Sequence, residues 1–296
     1  MMRRFILDTD WWTDCDDAVA IRLLCNAHLD KEVEVLGINI NACMPFSIPS
    51  LDVFTRDCGV DVPLAVAHKA TDFAGNPPYQ EHLAKCRTPR RNNEDVPESI
   101  DFYRQLLAGA EDDSVEILSI GFTQVLADLV SQPGGRELVA AKVKHLWIMA
   151  GKWDEDGGRE YNFCNTPLAS RSGDILCREW CSPITFLGFE IGNTVITGTK
   201  LSPDDLLKKA MIAHGSGNGR ASWDPMLILL ALCGSPEAAG YRAVRGWASV
   251  SPETGRNHFK EDPQGPHCYV VKCHPDSFYA DWIDENLPLD HKIRLS

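Results

Sequence analysis

The chain has 296 residues, 44% of them hydrophobic and 24% charged, which is enough to build one large α/β core. Its 29 basic and 42 acidic residues leave a net charge of −13. That balance argues against general binding to nucleic acid or to anionic membranes, because such surfaces reward clustered Lys and Arg.

In chain order, strand-like runs cover Arg4 to Asp8, Val33 to Ile40, Pro63 to Val66, Val115 to Ile120 and Lys144 to Ala150. Helical patterns alternate with them, starting near Asp16, Ile48, Glu98, Phe122 and Ser172. This alternation predicts βαβ units, hence a mainly parallel open sheet with helices on both faces, in a single domain spanning 1–296. Two stretches interrupt it: Thr71 to Pro97, rich in Pro, Asn and charge, and Gly151 to Arg159, rich in Gly and Asp. Loops of that length are commonly lids or binding loops, and the second leads into Glu160, which puts it at the mouth of a site. After Pro225 a helix through Leu232 precedes strand-like Trp247 to Val250 and Tyr269 to Val271, read as a terminal hairpin that forms a small C-terminal strand extension. His258 and His267 lie in that region and read as ordinary surface or core histidines.

No apolar run approaches the ~20 residues that span a bilayer. The three apolar residues between Arg4 and Asp8 are too few for a signal-peptide core. Eleven cysteines, an odd number scattered through apparent core segments, predict free thiols in a reducing cytoplasm. Arg87, Arg90 and Arg91 read as a solvated loop.

The most informative segment is Asp8-Thr9-Asp10-Trp11-Trp12-Thr13-Asp14-Cys15-Asp16-Asp17, which holds five carboxylates in ten positions between an apolar strand and an apolar helix. The acids therefore fall at the carboxyl end of a strand and on the first turn of a helix, where open α/β sheets bind ligands. Helix capping accounts for Asp16 or Asp17 and leaves Asp8, Asp10 and Asp14 without a role. Carboxylates this close repel one another, and a divalent cation such as Ca²⁺ or Mg²⁺ relieves an array of hard oxygens.

Asp8-Thr9-Asp10 followed by Asp16-Asp17-Ala18 resembles the N-terminal signature of the nucleoside hydrolases, Ca²⁺-dependent N-ribohydrolases, with a gap two residues longer than in the best-known members. Further similarities follow in order. Gly121-Phe122-Thr123-Gln124 resembles the family's glycine-rich turn, with Thr123 where a backbone carbonyl reaches the metal. Glu160-Tyr161-Asn162-Phe163 is similar to the segment that holds the sugar. Ser222-Trp223-Asp224-Pro225 is similar to the late histidine-aspartate-proline segment, with Trp223 in place of histidine. The resemblance implies Ca²⁺ held by Asp10, Asp17, Asp224 and the Thr123 carbonyl, a small-molecule nucleoside substrate, and a homo-oligomer, dimer or tetramer.

The chemistry suits these residues. Cleaving a ribose–base bond builds positive charge on the sugar and negative charge on the base while a water attacks the anomeric carbon. A cation at Asp10, Asp17 and Asp224 would hold and acidify that water. Asp10, beside it, is the natural proton acceptor. Asp16, Glu160 and Asn162 are the candidates for binding the ribose hydroxyls, with Asn41 a weaker one because Asn39-Ile40-Asn41 aligns ambiguously. Asp8 and Asp14 would orient their neighbours from behind. Two roles remain open for Trp223, a plain wall or a stacking surface for a purine. Trp11 and Trp12 are candidates for the other side of such a sandwich, and His68 and His214 for an overlooked acid.

Two other readings remain. Phe5 to Asp10 also resembles the first motif of haloacid-dehalogenase-type phosphatases, in which Asp8 would be the nucleophile, Asp10 the acid/base, and Ser119 part of a second motif. The missing histidine also fits a nucleoside- or ribose-binding relative without turnover.

Overall fold

The computed structural model describes residues 2–70, 77–86, 88–290 and 292–295. The first half of the chain runs β1 (Arg3–Thr9), α1 (Asp16–Leu29), β2 (Val33–Ile40), α2 (Ser47–Asp57), β3 (Leu64–Val66), α3 (Pro78–Ala84), α4 (Ser99–Ala108), β4 (Val115–Ile120), α5 (Gln124–Ser131), α6 (Gly135–Lys142) and β5 (Val143–Met149). The second half continues with α7 (Tyr161–Cys164), α8 (Pro167–Glu179), β6 (Ile184–Leu187), α9 (Phe189–Gly192), β7 (Ile196–Thr197), α10 (Leu206–His214), β8 (Arg220–Ala221), α11 (Trp223–Cys233), β9 (Tyr241–Val250), β10 (Asn257–Glu261), β11 (His267–Lys272) and α12 (Asp276–Glu285).

Nine strands form one sheet in the order β10-β9-β11-β6-β5-β4-β1-β2-β3, while β7 and β8 pair separately. From β11 to β3 all neighbours are parallel. A parallel sheet is covered on both faces, so its strands are buried along their length and largely apolar: Phe5 to Thr9 of β1 and all of β4 are buried. Two apolar cores lie against the sheet. One includes Phe5, Leu7, Leu118 and Trp147, and the other Ile6, Ile117, Leu146 and Ile148, so alternate residues of each strand serve opposite layers.

Within the first layer, α11 (Trp-Asp-Pro-Met-Leu-Ile-Leu-Leu-Ala-Leu-Cys) is apolar all round, with no polar stripe to turn to water. It packs against α1 on one side and against β4 and β5 on the other, so it is a central helix. Asp224, near its start, is thereby carried to the carboxyl edge of the sheet.

The C-terminal region departs from the predicted hairpin. β9 and β11 do pair antiparallel, with Val244 opposite Tyr269, but β10 lies between them in sequence and pairs with the far side of β9. β11 also pairs in parallel with β6, Cys268 opposite Thr185, so the extension continues the main sheet. The linking strand, β6, is only four residues long, too short to show a period in the sequence. α8 starts at Pro167, earlier than the predicted Ser172, because the Thr166 hydroxyl caps the Ala169 N–H and Pro167 occupies the first turn. The stretch 71–97, expected as a loop, contains α3 and a 3-10 turn at Asn93–Asp95; 71–76 and Arg87 lie outside the described residues. No described helix is long and apolar enough to cross a membrane.

If α11 is the keystone of its layer, truncating its fully buried Leu230 should lower stability by about 2–5 kcal/mol. Ile212→Ala, at an α10 position 55% exposed, should stay within about 0.5 kcal/mol. Urea unfolding of the two variants beside the parent measures the difference.

Candidate active site

Strand order reverses at β1, with β2 and β3 on one side and β4, β5 and β6 on the other. The loops that leave the carboxyl ends of β1 and β4 diverge there, and the crevice between them is the position where open α/β sheets take ligands. A cavity of about 230 Å³ occupies it, lined by six carboxylates: Asp10, Asp14, Asp16, Asp17, Glu160 and Asp224. Asn162, Thr13, Ile120, Met149 and four aromatic residues, Trp12, Tyr161, Phe189 and Trp223, complete the wall.

The acidic loop folds around its own carboxylates. Asp10 accepts the Trp12 N–H at 3.0 Å, Asp14 accepts the Asp16 N–H at 3.2 Å, and Asp17 accepts the Trp11 N–H at 3.2 Å together with the Thr9 hydroxyl. Asp16 accepts the Asp224 N–H at 3.1 Å, which ties α1 to α11. Making these turns forces Trp11 and Thr13 to φ values of 50° and 41°, in the left-handed region that non-glycine residues avoid. The strain is held by anchoring Trp11. Its ring is fully buried against Phe54 and Tyr79, at 5.6 and 5.2 Å between centroids, and its indole N–H donates to Ser50 at 2.8 Å. Trp11 is therefore a core residue and does not face the cavity as expected from sequence; its neighbour Trp12 does.

Asp8 and Asn41 sit behind the cavity. Asp8 is fully buried and accepts from Asn39 at 2.8 Å, from Tyr103 at 2.7 Å and from Asn41. Both asparagines of the ambiguous pair thus bind the same carboxylate. Asn41 in turn accepts the Phe122 N–H at 3.2 Å and, through its carbonyl, the Gln124 amide at 2.5 Å. This network welds the ends of β1, β2 and β4. Gly121 lets them close: a Cβ there would lie 2.4 Å from the Asp10 backbone nitrogen and 2.9 Å from its Cβ.

Burial raises most of these acids. It pushes Asp8 up to about 6 despite three hydrogen bonds, and Glu160 up to about 7. Asp17 rises to about 8 through burial and the neighbouring Asp14. Burial and the charges of their neighbours hold Asp10, Asp16 and Asp224 well above the carboxylate range. Asp14 is the exception: burial alone would raise it, but hydrogen bonding to Asp16 and the Arg220 guanidinium, 2.9 Å away, hold it below its ordinary value.

Of the residues singled out from sequence, Asp10, Asp14, Asp16, Asp17, Glu160, Asn162, Trp223 and Asp224 meet at this one cavity, whereas Asn41 and Asp8 do not reach it. Thr123 caps α5, its carbonyl accepting the Ala127 N–H at 2.9 Å; it does not line the cavity, and Ile120, three residues earlier, does. Glu160 caps α7, accepting the Asn162 and Gly151 N–H groups at 2.8 and 2.9 Å, and the Asn162 amide donates to the Met149 carbonyl at 2.9 Å. No residue of the Gly151 to Arg159 loop is among the described residues that line the cavity. Asn257 of β10 bonds both backbone groups of Lys152, and Trp153 stacks on Tyr269. Trp223 is engaged by its neighbours: Phe189 stacks on it at 5.4 Å, Arg220 lies 5.5 Å over its ring, and its indole N–H donates to the Phe189 carbonyl. His68 and His214 do not line the cavity; His68 pairs with the Val96 carbonyl and His214 holds the Thr13 carbonyl at 3.1 Å. Tyr161, Phe189 and Arg220 were missed as contributors. Tyr161 stood inside a recognised segment, but Phe189 and Arg220 arrive from elements with no signal of their own.

No family model matches the sequence, and no curated protein does. Solved structures do. An inosine-guanosine nucleoside hydrolase superposes with a TM-score of 0.71 at 14% identity, over 96% of this chain and 98% of that one. The inosine-uridine preferring nucleoside hydrolase of Bacillus anthracis gives 0.69 at 16% identity, over 98% and 100%. The chain has the nucleoside hydrolase fold. The type III effector protein XopQ, solved in complex with adenosine diphosphate ribose, is also similar, at a TM-score of 0.64 and 13% identity over 97% of this chain and 93% of that one.

The raised acids make a pH prediction. Unfolded, Asp8, Asp17 and Glu160 release their protons near pH 4; folded, they keep them up to about pH 6, 8 and 7. Between those limits the native state binds more protons than the unfolded one, so stability falls as pH rises. The protein in the presence of a chelator should therefore lose Tm from pH 5 to pH 8. Thermal melts across that range check this; a Tm that rises with pH would contradict it.

Proposed function

We propose that this protein is an N-ribohydrolase that cleaves the N-glycosidic bond of a ribonucleoside or related ribosyl compound to ribose and free base. The observation that carries the reading is the gathering of six carboxylates with Asn162 on one cavity at the β1/β4 crevice of a nucleoside hydrolase fold.

The cavity fits a hard divalent cation. Oxygens of Asp14, Asp16 and Asp17 lie within 4.8 Å of one another, and Asp10 and Asp224 border the same space. The donor set is all oxygen, with no thiolate or imidazole among the lining residues, which favours Ca²⁺ over a transition metal. We assign Asp10, Asp17 and Asp224 as its principal holders, with the Thr123 backbone as a further candidate; bound there, Ca²⁺ would acidify a water and draw in the sugar's hydroxyls.

The chain's own residues then divide the work. Asp10, at the end of β1, accepts a proton from the attacking water. A cation bound beside it would return its carboxyl to the anionic form that this role requires. Asp16, Glu160 and Asn162 take the ribose hydroxyls, and the carboxylates around the cavity stabilise positive charge as it develops on the ring. Asp8 and Asn41 act as positioning residues through Gly121 and the β4 loop. Trp223 forms a wall of the aglycone side.

The phosphatase reading loses its nucleophile, since Asp8 is 0% exposed and spent on three hydrogen bonds. Binding of a ribosyl compound without turnover is favoured by one observation, the lack of histidine among the described residues that line the cavity.

Two outcomes follow. Incubation with a nucleoside panel should release free ribose, and Asp10→Asn should reduce kcat by at least about 10²-fold, the usual worth of a general base. Binding without ribose release would establish the non-catalytic reading. Elemental analysis should find stoichiometric Ca²⁺ in the parent and little in Asp17→Asn or Asp224→Asn; metal retained in both variants refutes the assignment of holders.

A further inference from the structure

A second cavity, of about 430 Å³, lies at the edge of the sheet opposite the acidic one. Its place follows from the direction of α11. Asp224, near the start of that helix, stands at the carboxyl edge of the strands, whereas Arg3, the first residue of β1, donates to the Ala231 and Leu232 carbonyls at 2.5 and 3.3 Å. The helix therefore ends near the amino ends of the strands, and the turn at 234–237 forms one wall of the cavity. Its floor is the sheet face beyond that end. There the apolar pattern breaks, and five neighbouring strands each bring a polar side chain: Glu116 of β4, His145 of β5, Thr185 of β6, Cys268 of β11 and Arg245 of β9. Glu116 stands opposite His145, Thr185 opposite Cys268, and Cys268 opposite Arg245.

The deeper part of this floor is satisfied by its own contacts. Arg3 takes both Glu116 oxygens, at 2.8 and 2.5 Å, and the Trp147 indole donates to the same carboxylate at 2.7 Å. His145 pairs with the Thr185 hydroxyl at 2.8 Å, and Thr185 with the Cys268 thiol at 3.1 Å. Positive charge is left over. Lys144 and Arg245 line the cavity, and neither is held by a carboxylate among the described residues; Arg245 donates to the Gly265 carbonyl at 3.2 Å. Against them stands Glu237, exposed on the wall. His145 registers the surplus. Burial holds its imidazole down to about 4, Glu116 opposes that, and the charges of Arg3, Lys144 and Arg245 reinforce it. In a chain of net charge −13, composition does not account for three cations gathered on one cavity.

We propose that this amino-edge cavity is a second binding site, for a small phosphorylated anion whose phosphoryl group is held by Lys144 and Arg245. The strands that carry these two residues are separated by β6 and β11, about 14 Å at the usual strand spacing, so two long side chains reach a group lying over Thr185 from either side. The guanidinium fork matches phosphoryl oxygens, the ammonium adds a point charge, and the concave floor concentrates both fields. His145, whose ring lies 4.1 Å from that of Trp147, takes up a proton as the anion offsets the three cations around it. The cavity is larger than the acidic one, which leaves room for the organic part of a phosphate ester beside the Ser235 hydroxyl. The site stands independently of the ribohydrolase reading.

Calorimetry on the full chain with inorganic phosphate, glycerol 3-phosphate and glycerol tests this. Both phosphates should saturate the protein and glycerol should not; tighter binding of the ester identifies an organic phosphate as the ligand, and equal binding the free oxyanion. Lys144→Gln combined with Arg245→Gln, both at exposed positions, should weaken binding at least about tenfold, the scale of a lost charge-assisted hydrogen bond. Asp17→Asn, which alters only the acidic cavity, should leave it unchanged. In NMR titrations the His145 midpoint should rise from about 4 toward its ordinary 6.5 when phosphate is added. Absence of saturation by either phosphate would overturn the proposal. So would affinity retained in the double variant, affinity lost in Asp17→Asn, or a His145 midpoint that phosphate does not move. None of these outcomes bears on ribose release, so the two readings fail separately.

Discussion

The constraint on which the rest of this structure depends is the cost of holding six carboxylates around a cavity of about 230 Å³. Charged oxygens in a poorly solvated space are tolerated only if donors, counter-charges or a cation meet them. The protein supplies the first two in limited number: backbone N–H groups for Asp10, Asp14, Asp16 and Asp17, and a single guanidinium for Asp14. The deficit is what raises the remaining acids.

Rigidity is the second consequence. Carboxylates that repel one another spread apart unless their backbone is fixed, and here contacts from outside the loop add to the hydrogen bonds within it. Trp11 is driven into the core at positive φ, Gln80 donates to its carbonyl, and His214 holds the Thr13 carbonyl. From below, the Asp8, Asn39, Asn41 and Tyr103 network locks the strand ends that the loop leaves. A residue with no access to the cavity thus controls its geometry, which is why Asp8 is buried as a hydrogen-bond hub.

The acidic loop and the parallel sheet were legible because both are local signals. Acids between an apolar strand and an apolar helix have few structural explanations, and alternating βα patterns constrain topology strongly. The contacts that assign roles were less legible. Asn39 and Asn41 could not be separated by pattern, and the structure uses both, two residues apart on the same side of β2, for one carboxylate. Trp11 and Trp12 looked equivalent until the backbone turned between them. Thr123 resembled a ligand in a motif, and the structure shows its carbonyl accepting one hydrogen bond in the first turn of α5, which leaves its second lone pair. β6 and the Phe189 that follows it are too short a signal for periodicity to detect, although Phe189 lines the site.

Asp14 and Arg220 show how a longer acidic loop is accommodated. An added carboxylate in the gap between Asp10 and Asp16 would raise the cost of every neighbour, and its effect is visible on Asp10, Asp16, Asp17 and Asp224 alike. Arg220, 206 residues away in sequence, offsets part of that cost by pairing with Asp14. The same guanidinium lies over Trp223, the residue at the position where the resemblance would place a histidine. One arginine therefore stabilises the enlarged acidic loop and braces the aromatic wall opposite it. It does not line the cavity itself, and its charge reaches the site through Asp14. The loop's extra acid and the aromatic wall are thus parts of one arrangement, joined by a guanidinium that pairs with the first and lies over the second.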